Sequence, residues 1–416
     1  MVRRVLMVAY HYPPVQVSSG IQRSLKFSTY LRDLGWQPSV LTIHPRAYAR
    51  RSDNQLREIP ADVPVRRAFG LDTSRHLALL GRYPLLLALP DNWSSWWLGG
   101  VWSGLAMIRR NRPDVIWSTY PIATAHLIAY TLHRITGIPW VADCRDSMTE
   151  ENYPTPPRRR RVYQWLERKV VEHAARVVFT TPGAVRMYAE RYPDVPASRW
   201  SVIANGFDEE NFRSAASAGP APSADDEITL VHSGVLYPSE RDPRPFFDAL
   251  AGLRDDGWLS SNKVRVRLRA TGYDRIYRDM IEAKGLASFV SLEPTIAYDQ
   301  ALAEMLGAQG LLIFQAANCN HQIPAKLYEY FRAGRPILAL TDPAGDTAAE
   351  MRQAGVDSIA RLDDRDDIRA ALMRFVGQIR EQRAPVPTLE TVRSYSREAK
   401  SGELAVLLDE VSSTAA

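Results

Sequence analysis

The sequence predicts an α/β protein of two lobes, each an open parallel sheet covered by helices. Three observations carry this expectation. At 416 residues the chain is longer than one ordinary core and suits two domains of roughly 200 residues each. Short apolar runs of strand type recur, each followed by a segment with helical spacing, which is the alternation of parallel strands with crossover helices. That alternation breaks once, over 213–227, where Ala, Ser, Pro and acidic residues leave no apolar period.

In chain order, Val5–Tyr10 reads as the first strand and Ile21–Leu34 as its helix. Val115–Ser118 then precedes helical spacing over Ile122–Thr136, and Trp140–Asp143 precedes Val162–Ala174. Val177–Thr180 and Val202–Ala204 extend this first lobe, expected over 1–212, and 213–227 is the expected linker. The pattern restarts with Ile228–His232, a helix from Pro245, a strand Val264–Ala270 and a helix near Ile276–Ala283. Leu311–Phe314, a helix from Pro324 and the strand Ile337–Leu340 follow in a second lobe over 228–389.

Composition narrows the function classes. The net charge of +5 is small for this length and gives no ground for nucleic acid as a partner. Cys144 and Cys319 are the two cysteines and lie far apart, so neither a disulfide framework nor a zinc site is indicated, and a reducing compartment fits. Met1 to Tyr10 lacks a cleavable apolar leader, so a cytoplasmic location is expected. The most apolar stretch, Leu77 to Pro90, has about fourteen residues against the roughly twenty a spanning helix needs, and contains Arg82 and Pro84. No G-x-G-x-x-G follows a first strand in either half and no P-loop is present, which weakens dehydrogenase and ATPase readings.

The most informative segment is Ile323-Pro-Ala-Lys-Leu-Tyr-Glu-Tyr-Phe-Arg-Ala-Gly-Arg-Pro-Ile-Leu338. Pro324 suits a first helical turn, after which the N–H groups of Ala325, Lys326 and Leu327 are expected to face an anion, assisted by the helix dipole and the Lys326 ammonium. This predicts a diphosphate cradle. Glu329 lies one turn on, placed to accept hydrogen bonds from two vicinal ribose hydroxyls, or else to be an exposed helix carboxylate. Gly334 is expected to end the helix.

On these residues the sequence resembles the family 4 glycosyltransferases, enzymes of the GT-B fold that use nucleotide sugars without a catalytic metal. The resemblance implies two Rossmann-like lobes with parallel sheets facing a central cleft, and a Glu329 that grips the donor ribose. The family's second glutamate, eight positions earlier, is His321 here, a departure shared by bacterial polysaccharide-type members, so the donor sugar is left open. Ile323 and His321 then fall beside the donor. The first-strand turn, His11-Tyr-Pro-Pro14 with Ser18-Ser19-Gly20, is similar to a family turn touching donor phosphates, which brings in Ser19 and Gly20; a purely local Ser/Gly turn is the alternative.

Thr136-Gly-Ile-Pro-Trp-Val-Ala-Asp-Cys-Arg-Asp146 resembles a family strand and loop closely. Asp143, Arg145 and Asp146 would there orient or deprotonate the acceptor hydroxyl or meet the leaving phosphate; a buried Asp–Arg structural pair is the competing reading. Asn205-Gly-Phe-Asp208 matches a turn at the end of the first lobe. His232-Ser-Gly234 begins the stretch that corresponds to a family phosphate-binding turn, with Val235 where an arginine is usual. Gly234 is thus a donor residue and Arg241 the candidate cation for the diphosphate, with Arg244 competing. The resemblance spans about residues 4 to 380 and implies a helix near 390–412 that returns to the first lobe.

Trp93, Trp96, Trp97 and Trp102 follow Leu85–Leu89, and Arg158, Arg159, Arg160 and Arg161 stand with Arg168 and Lys169 on a predicted helix. Aromatic surface and basic charge on one lobe suit an acceptor groove or reversible contact with the inner face of an anionic membrane, where each cation is worth about 1 kcal/mol; a core segment and a solvated helix face are the alternatives. The resemblance therefore implies a retaining, metal-independent glycosyltransferase with no cofactor, a nucleotide sugar as donor and a lipid-linked glycan as one acceptor class, in cell-surface polysaccharide or glycolipid synthesis. A nucleotide-sugar epimerase of related shape and a noncatalytic nucleotide-sugar-binding protein remain the alternatives.

Overall fold

The computed structural model describes residues 3–16, 20–53, 55–151, 153–217 and 227–414. The chain divides into two compact units, Met1–Asn205 with Arg397–Ala416, and Gly206–Ser396.

The first unit holds a seven-stranded, all-parallel sheet: β1 (Arg3–Val8), β2 (Trp36–Ile43), β3 (Val65–Ala68), β4 (Val115–Thr119), β5 (Trp140–Cys144), β6 (Arg176–Phe179) and β7 (Trp200–Val202), in spatial order β3-β2-β1-β4-β5-β6-β7. Strands buried on both faces read as near-continuous apolar runs, as β4 and β5 do with every residue buried. One face is covered by the helices Trp96–Arg110, Ala123–Thr136 and Pro157–His173. The other is covered by the helix Gly20–Tyr30 and by the helix Arg397–Thr414, whose Leu404, Leu407, Leu408 and Val411 bury against Leu25, Phe27 and Leu31. Trp36 Nε1 donates to Asp409 at 2.8 Å and fixes this last helix in register.

The second unit is a six-stranded parallel sheet of β8 (Ile228–Ser233), β9 (Val264–Arg269), β10 (Val290–Glu293), β11 (Gly310–Gln315), β12 (Ile337–Thr341) and β13 (Ile359–Ala360), ordered β10-β9-β8-β11-β12-β13. Both orders reverse direction once, between β1 and β4 and between β8 and β11. In open α/β sheets the loops leaving the carboxyl ends of strands at such a switch point form the ligand crevice.

The expected linker differs from what is found. Residues 213–217 are the second half of the helix Glu209–Ser217, in which Phe212 and Ala215 are buried; Glu209 is held by Arg332, Nε at 2.6 Å and Nη2 at 2.7 Å. Tertiary packing and an ion pair thus make a helix of a segment whose composition reads as coil. Residues 218–226 lie outside those described. The first unit closes at Asn205, within the expected Asn205–Asp208 turn.

Candidate functional site

The second unit brings its chemistry together at the β8–β11 switch point. β8 ends in His232-Ser233-Gly234, and Gly234 has φ +128, a region L side chains avoid. A Cβ built there collides with Lys326 Nζ, so the missing side chain is what lets the amine lie against this backbone. Lys326 opens the helix Lys326–Ala333, which follows β11. Tyr330, one turn on and fully buried, accepts the Ser233 N–H at 3.0 Å and ties the helix to the end of β8.

His232 is 1% exposed. Its Nδ1 donates to Leu312 O at 2.8 Å, which leaves the Nε2 lone pair facing Lys326 Nζ at 3.3 Å. Burial, then the neighbouring Lys326, hold the imidazole well below its usual range, so it is neutral. Burial and Arg241 lower Lys326 to about 7, against a smaller opposing pull from Glu329.

Arg241 donates to Val235 O at 3.0 Å and lies over the Tyr237 ring at 5.4 Å; its Nε is buried and has no hydrogen-bond partner among the described residues. Arg244, its competitor in the sequence, is exposed and bound to Asp242 at 2.7 and 2.9 Å. Between the two, Arg241 is the cation with no carboxylate partner among the described residues, while Arg244 is paired with Asp242.

At the helix start, Leu327 N–H bonds to Pro324 O at 2.9 Å and Tyr328 N–H to Ala325 O at 3.3 Å. Leu327 is therefore not a free donor as expected, because the first turn closes on Pro324. The N–H groups of Ala325 and Lys326 have no protein acceptor among the described residues. Two open N–H groups, the Lys326 amine and the Arg241 guanidinium can together hold an anion. Ile323 is buried beside them, and His321 is half-buried with Gln322 Nε2 at 3.4 Å from its Nε2. Glu329 is half-buried, and its Oε1 accepts from Tyr298 Oη at 2.6 Å.

In the first unit, Asp143 is fully buried and does not face solvent. Arg23 Nε reaches its oxygens at 2.9 and 3.2 Å and Nη2 at 2.7 Å, while Thr119 Oγ1 donates at 2.9 Å. Its expected role toward an acceptor is thereby replaced by a structural one, and its partner is Arg23 rather than Arg145. Arg145 instead donates to Gly20 O, and its Nε is buried without a hydrogen-bond partner among the described residues. A Cβ at Gly20 would lie 3.2 Å from His11 Nδ1 and 3.3 Å from Arg145 Nη1, so this glycine admits both side chains to the start of the helix Gly20–Tyr30. Burial, then Arg145, lower His11 to about 3, and burial lowers Arg145 to about 10, which leaves one neutral and one charged at neutral pH. Asp146 is exposed. Ser19 lies outside the described residues. The loop bearing Arg145 and Asp146 is anchored by Glu167, 1% exposed, which accepts from Thr149 N at 3.0 Å, Tyr188 Oη at 2.7 Å and Tyr192 Oη at 2.8 Å.

The aromatic and basic segment divides differently from the expectation. Trp96 is core, and Trp93 is half-buried, its ring 4.5 Å from that of Tyr10 and its Nε1 donating to Ala47 O at 3.3 Å. The most exposed large apolar side chains of this segment are instead Leu79, Leu80, Leu86, Leu98 and Trp102, between 68 and 96% exposed, while Trp97 is 37% exposed. Arg159 and Arg160 reach the carbonyls of Ala88 and Tyr153 at 3.5 and 2.9 Å, and Arg158 and Arg161 are exposed. No helix among the described residues is long and apolar enough to cross a membrane.

His232, Tyr298 and Arg23 join these residues only in the folded structure. His232 had a local signal, a histidine one residue before a strand-ending Ser-Gly, but Tyr298 and Arg23 lie 31 and 120 positions from their partners and had none.

The glycosyl transferase 4-like domain family matches residues 20–206. No curated protein sequence matches the chain. Among solved structures, sucrose-phosphate synthase from Thermosynechococcus elongatus superposes with TM-score 0.64 at 14% identity, over 99% of this chain and 100% of that one. Anabaena Alr3699/HepE in complex with UDP-glucose gives TM-score 0.66 at 15% identity over 98% and 99%. The α,α-trehalose 6-phosphate synthase of Burkholderia multivorans gives 0.65 at 13% over 100% and 98%. At these identities the likeness to the three structures is one of fold. Residues 20–206 thus match the glycosyl transferase 4-like domain family, and over its whole length the chain shares the GT-B fold of these structures.

Proposed function

We propose that the chain moves a sugar from a nucleotide-diphosphate donor on its second lobe to an acceptor hydroxyl on its first, with retention of anomeric configuration. The bond from the anomeric carbon to the diphosphate oxygen breaks, and one from that carbon to the acceptor oxygen forms. The observation that carries the reading is the convergence of Lys326, Arg241 and the open N–H groups of Ala325 and Lys326 at the β8–β11 switch point. Such donors stabilise the charge that develops on a leaving diphosphate. The UDP-glucose held by the Anabaena relative supports a nucleotide sugar as donor and makes UDP the first nucleotide to try.

Of Asp143 and Asp146 on the first lobe, Asp146 is the exposed carboxylate and is assigned orientation of the acceptor hydroxyl, with Arg145 beside the start of the helix Gly20–Tyr30. The exposed apolar surface near Leu80 and Trp102 supports an acceptor presented at a membrane, such as a lipid-linked glycan in cell-surface polysaccharide or glycolipid synthesis, reached from the cytoplasmic side.

The test is a panel of nucleotide sugars screened by thermal shift, followed by product analysis with and without acceptor. A transferase yields a glycosylated acceptor and free nucleoside diphosphate; epimerised sugar without acceptor, or binding without turnover, would displace the reading. With Lys326 and Arg241 neutralising the diphosphate, turnover is expected to survive excess EDTA. Loss of activity in EDTA, restored by magnesium or manganese, contradicts that charge assignment.

A further inference from the structure

We propose that His232 is a positioning residue that acts through Lys326: it aims the amine at the donor's diphosphate and leaves that amine ready to take up a proton as the diphosphate binds. The inference rests on the donor site proposed above. Three features carry it. The imidazole is buried and its tautomer is fixed, because Nδ1 donates to Leu312 O at 2.8 Å and Nε2 is thereby left as an acceptor, 3.3 Å from Lys326 Nζ. Gly234 leaves no side chain between the amine and the β8 terminus. The charged groups around the amine are Arg241, on the loop after β8, which opposes its charge, and Glu329, on its own helix, which favours it but is also bonded to Tyr298 at 2.6 Å.

An amine in this setting, lowered to about 7, is partly neutral in the empty site. A bound diphosphate brings negative charge next to it and restores the ammonium, so one proton passes from solvent to Lys326 Nζ on binding. The neutral histidine serves this because it accepts from the ammonium without adding a second positive charge, as a lysine or arginine at that position would.

The experiment is calorimetric titration of the full chain with UDP, and with GDP, ADP and TDP if UDP does not bind. It is run from about pH 7.5 to 9, above the last phosphate ionisation near pH ~6, in two buffers of different ionisation heat. Wild type is expected to take up close to one proton (~1) in the upper part of this window, and its affinity to fall by up to about tenfold per pH unit. Lys326→Arg, which stays charged, is expected to bind with no uptake and a flat profile. His232→Asn keeps the donor to Leu312 O but drops the acceptor for Lys326, and should weaken binding by about tenfold; His232→Gln, which returns an oxygen near the Nε2 position, should recover most of it.

Binding without proton uptake in wild type, or uptake that persists in Lys326→Arg, overturns this inference while leaving the donor site standing. His232→Asn binding as wild type removes the positioning role. If none of the four nucleotides binds, the donor site itself fails and the inference with it. Should either histidine variant fail to fold, the wild-type and Lys326→Arg titrations still decide the proton coupling.

Discussion

Arg23 and Asp143 form a pair that solvent does not reach, at 1% and fully buried, with two guanidinium nitrogens on the carboxylate and the same arginine donating to Ile203 O and Ala204 O at 3.0 Å. The pair joins the helix Gly20–Tyr30, the strand β5 and the segment that follows β7. Removing one partner from such a pair leaves an uncompensated buried charge, which typically costs about 3–5 kcal/mol. Asp143→Ala is expected to lower unfolding free energy by about that amount, read as a shifted denaturant midpoint, with activity falling only as the folded fraction falls. A well-folded Asp143→Ala protein of wild-type stability and no turnover would return Asp143 to the chemistry.

Glu329 is the proposed ribose contact of the second lobe, and its Oε1 accepts from Tyr298 Oη at 2.6 Å. Glu329→Ala should weaken nucleotide binding by roughly 2 kcal/mol or more, since two hydroxyls lose a charged acceptor. Tyr298→Phe removes only the phenol that orients the carboxylate, and a loss nearer 1 kcal/mol is expected. Comparing the nucleotide with its 2′-deoxy form sharpens the test: wild type should prefer the ribonucleotide and Glu329→Ala should not. Equal preference in both proteins separates Glu329 from the ribose.

How far the sequence carried the structure depended on whether a signal was local. Continuous apolar strands were legible to within a residue or two: Trp140–Asp143 is found as Trp140–Cys144, and Leu311–Phe314 as Gly310–Gln315. The strand Trp36–Ile43 has no clear sequence signal because Gln37 and Pro38 interrupt its apolar run, and Val65–Ala68 has none because an edge strand with two arginines carries no apolar period. The helix Lys326–Ala333 was legible from Pro324 before it and Gly334, φ +64, after it. What stayed hidden were partners distant in sequence. Nothing near Asp143 announces Arg23, and nothing in a run of four arginines says that two bond to backbone carbonyls. Trp96 and Trp102 stand on one helix, and only packing sends the first into the core and leaves the second in solvent.

Lys326 is held in a place that disfavours its charge, by burial first and by Arg241 second. With its folded value lowered to about 7 against an ordinary value of 10.5, the unfolded chain binds more protons between those limits. The penalty is thus fully present below pH 7 and is relieved as pH rises toward 10.5. Lys326→Met, similar in length and without charge, is expected to raise the melting temperature at pH 6.5 by a few degrees while weakening nucleotide binding at least about tenfold. The gain in Tm should shrink on going to pH 9. A Lys326→Met protein less stable than the parent at both pH values would show that the amine makes a structural contribution and is not a strained functional group.

The last prediction concerns the first lobe's exposed apolar surface and the arginines near it. Leu79, Leu80, Leu86, Leu98 and Trp102 present apolar side chains to solvent, and all five lie within 24 residues of the chain. Arg159 reaches the carbonyl of Ala88 within this segment, so the basic helix Pro157–His173 and the apolar surface are neighbours in one unit, with Arg158 and Arg161 exposed. Peripheral binding to anionic lipid should then have two separable parts: a charge part of about 1 kcal/mol per cation, screened within about 8 Å at physiological salt, and an apolar part that salt does not screen. Arg158→Gln with Arg161→Gln is expected to lower sedimentation with anionic liposomes at low salt and to flatten its salt dependence. Leu80→Ser with Leu86→Ser should lower binding at every salt concentration, and neither pair should alter nucleotide binding, which is assigned to the second lobe. Arg159 and Arg160 are poorer choices, because removing them also breaks backbone contacts. If both double variants sediment as the parent does, the apolar surface serves a soluble acceptor or a protein partner, and activity on a lipid-linked acceptor should then be no higher than on the same glycan free of lipid.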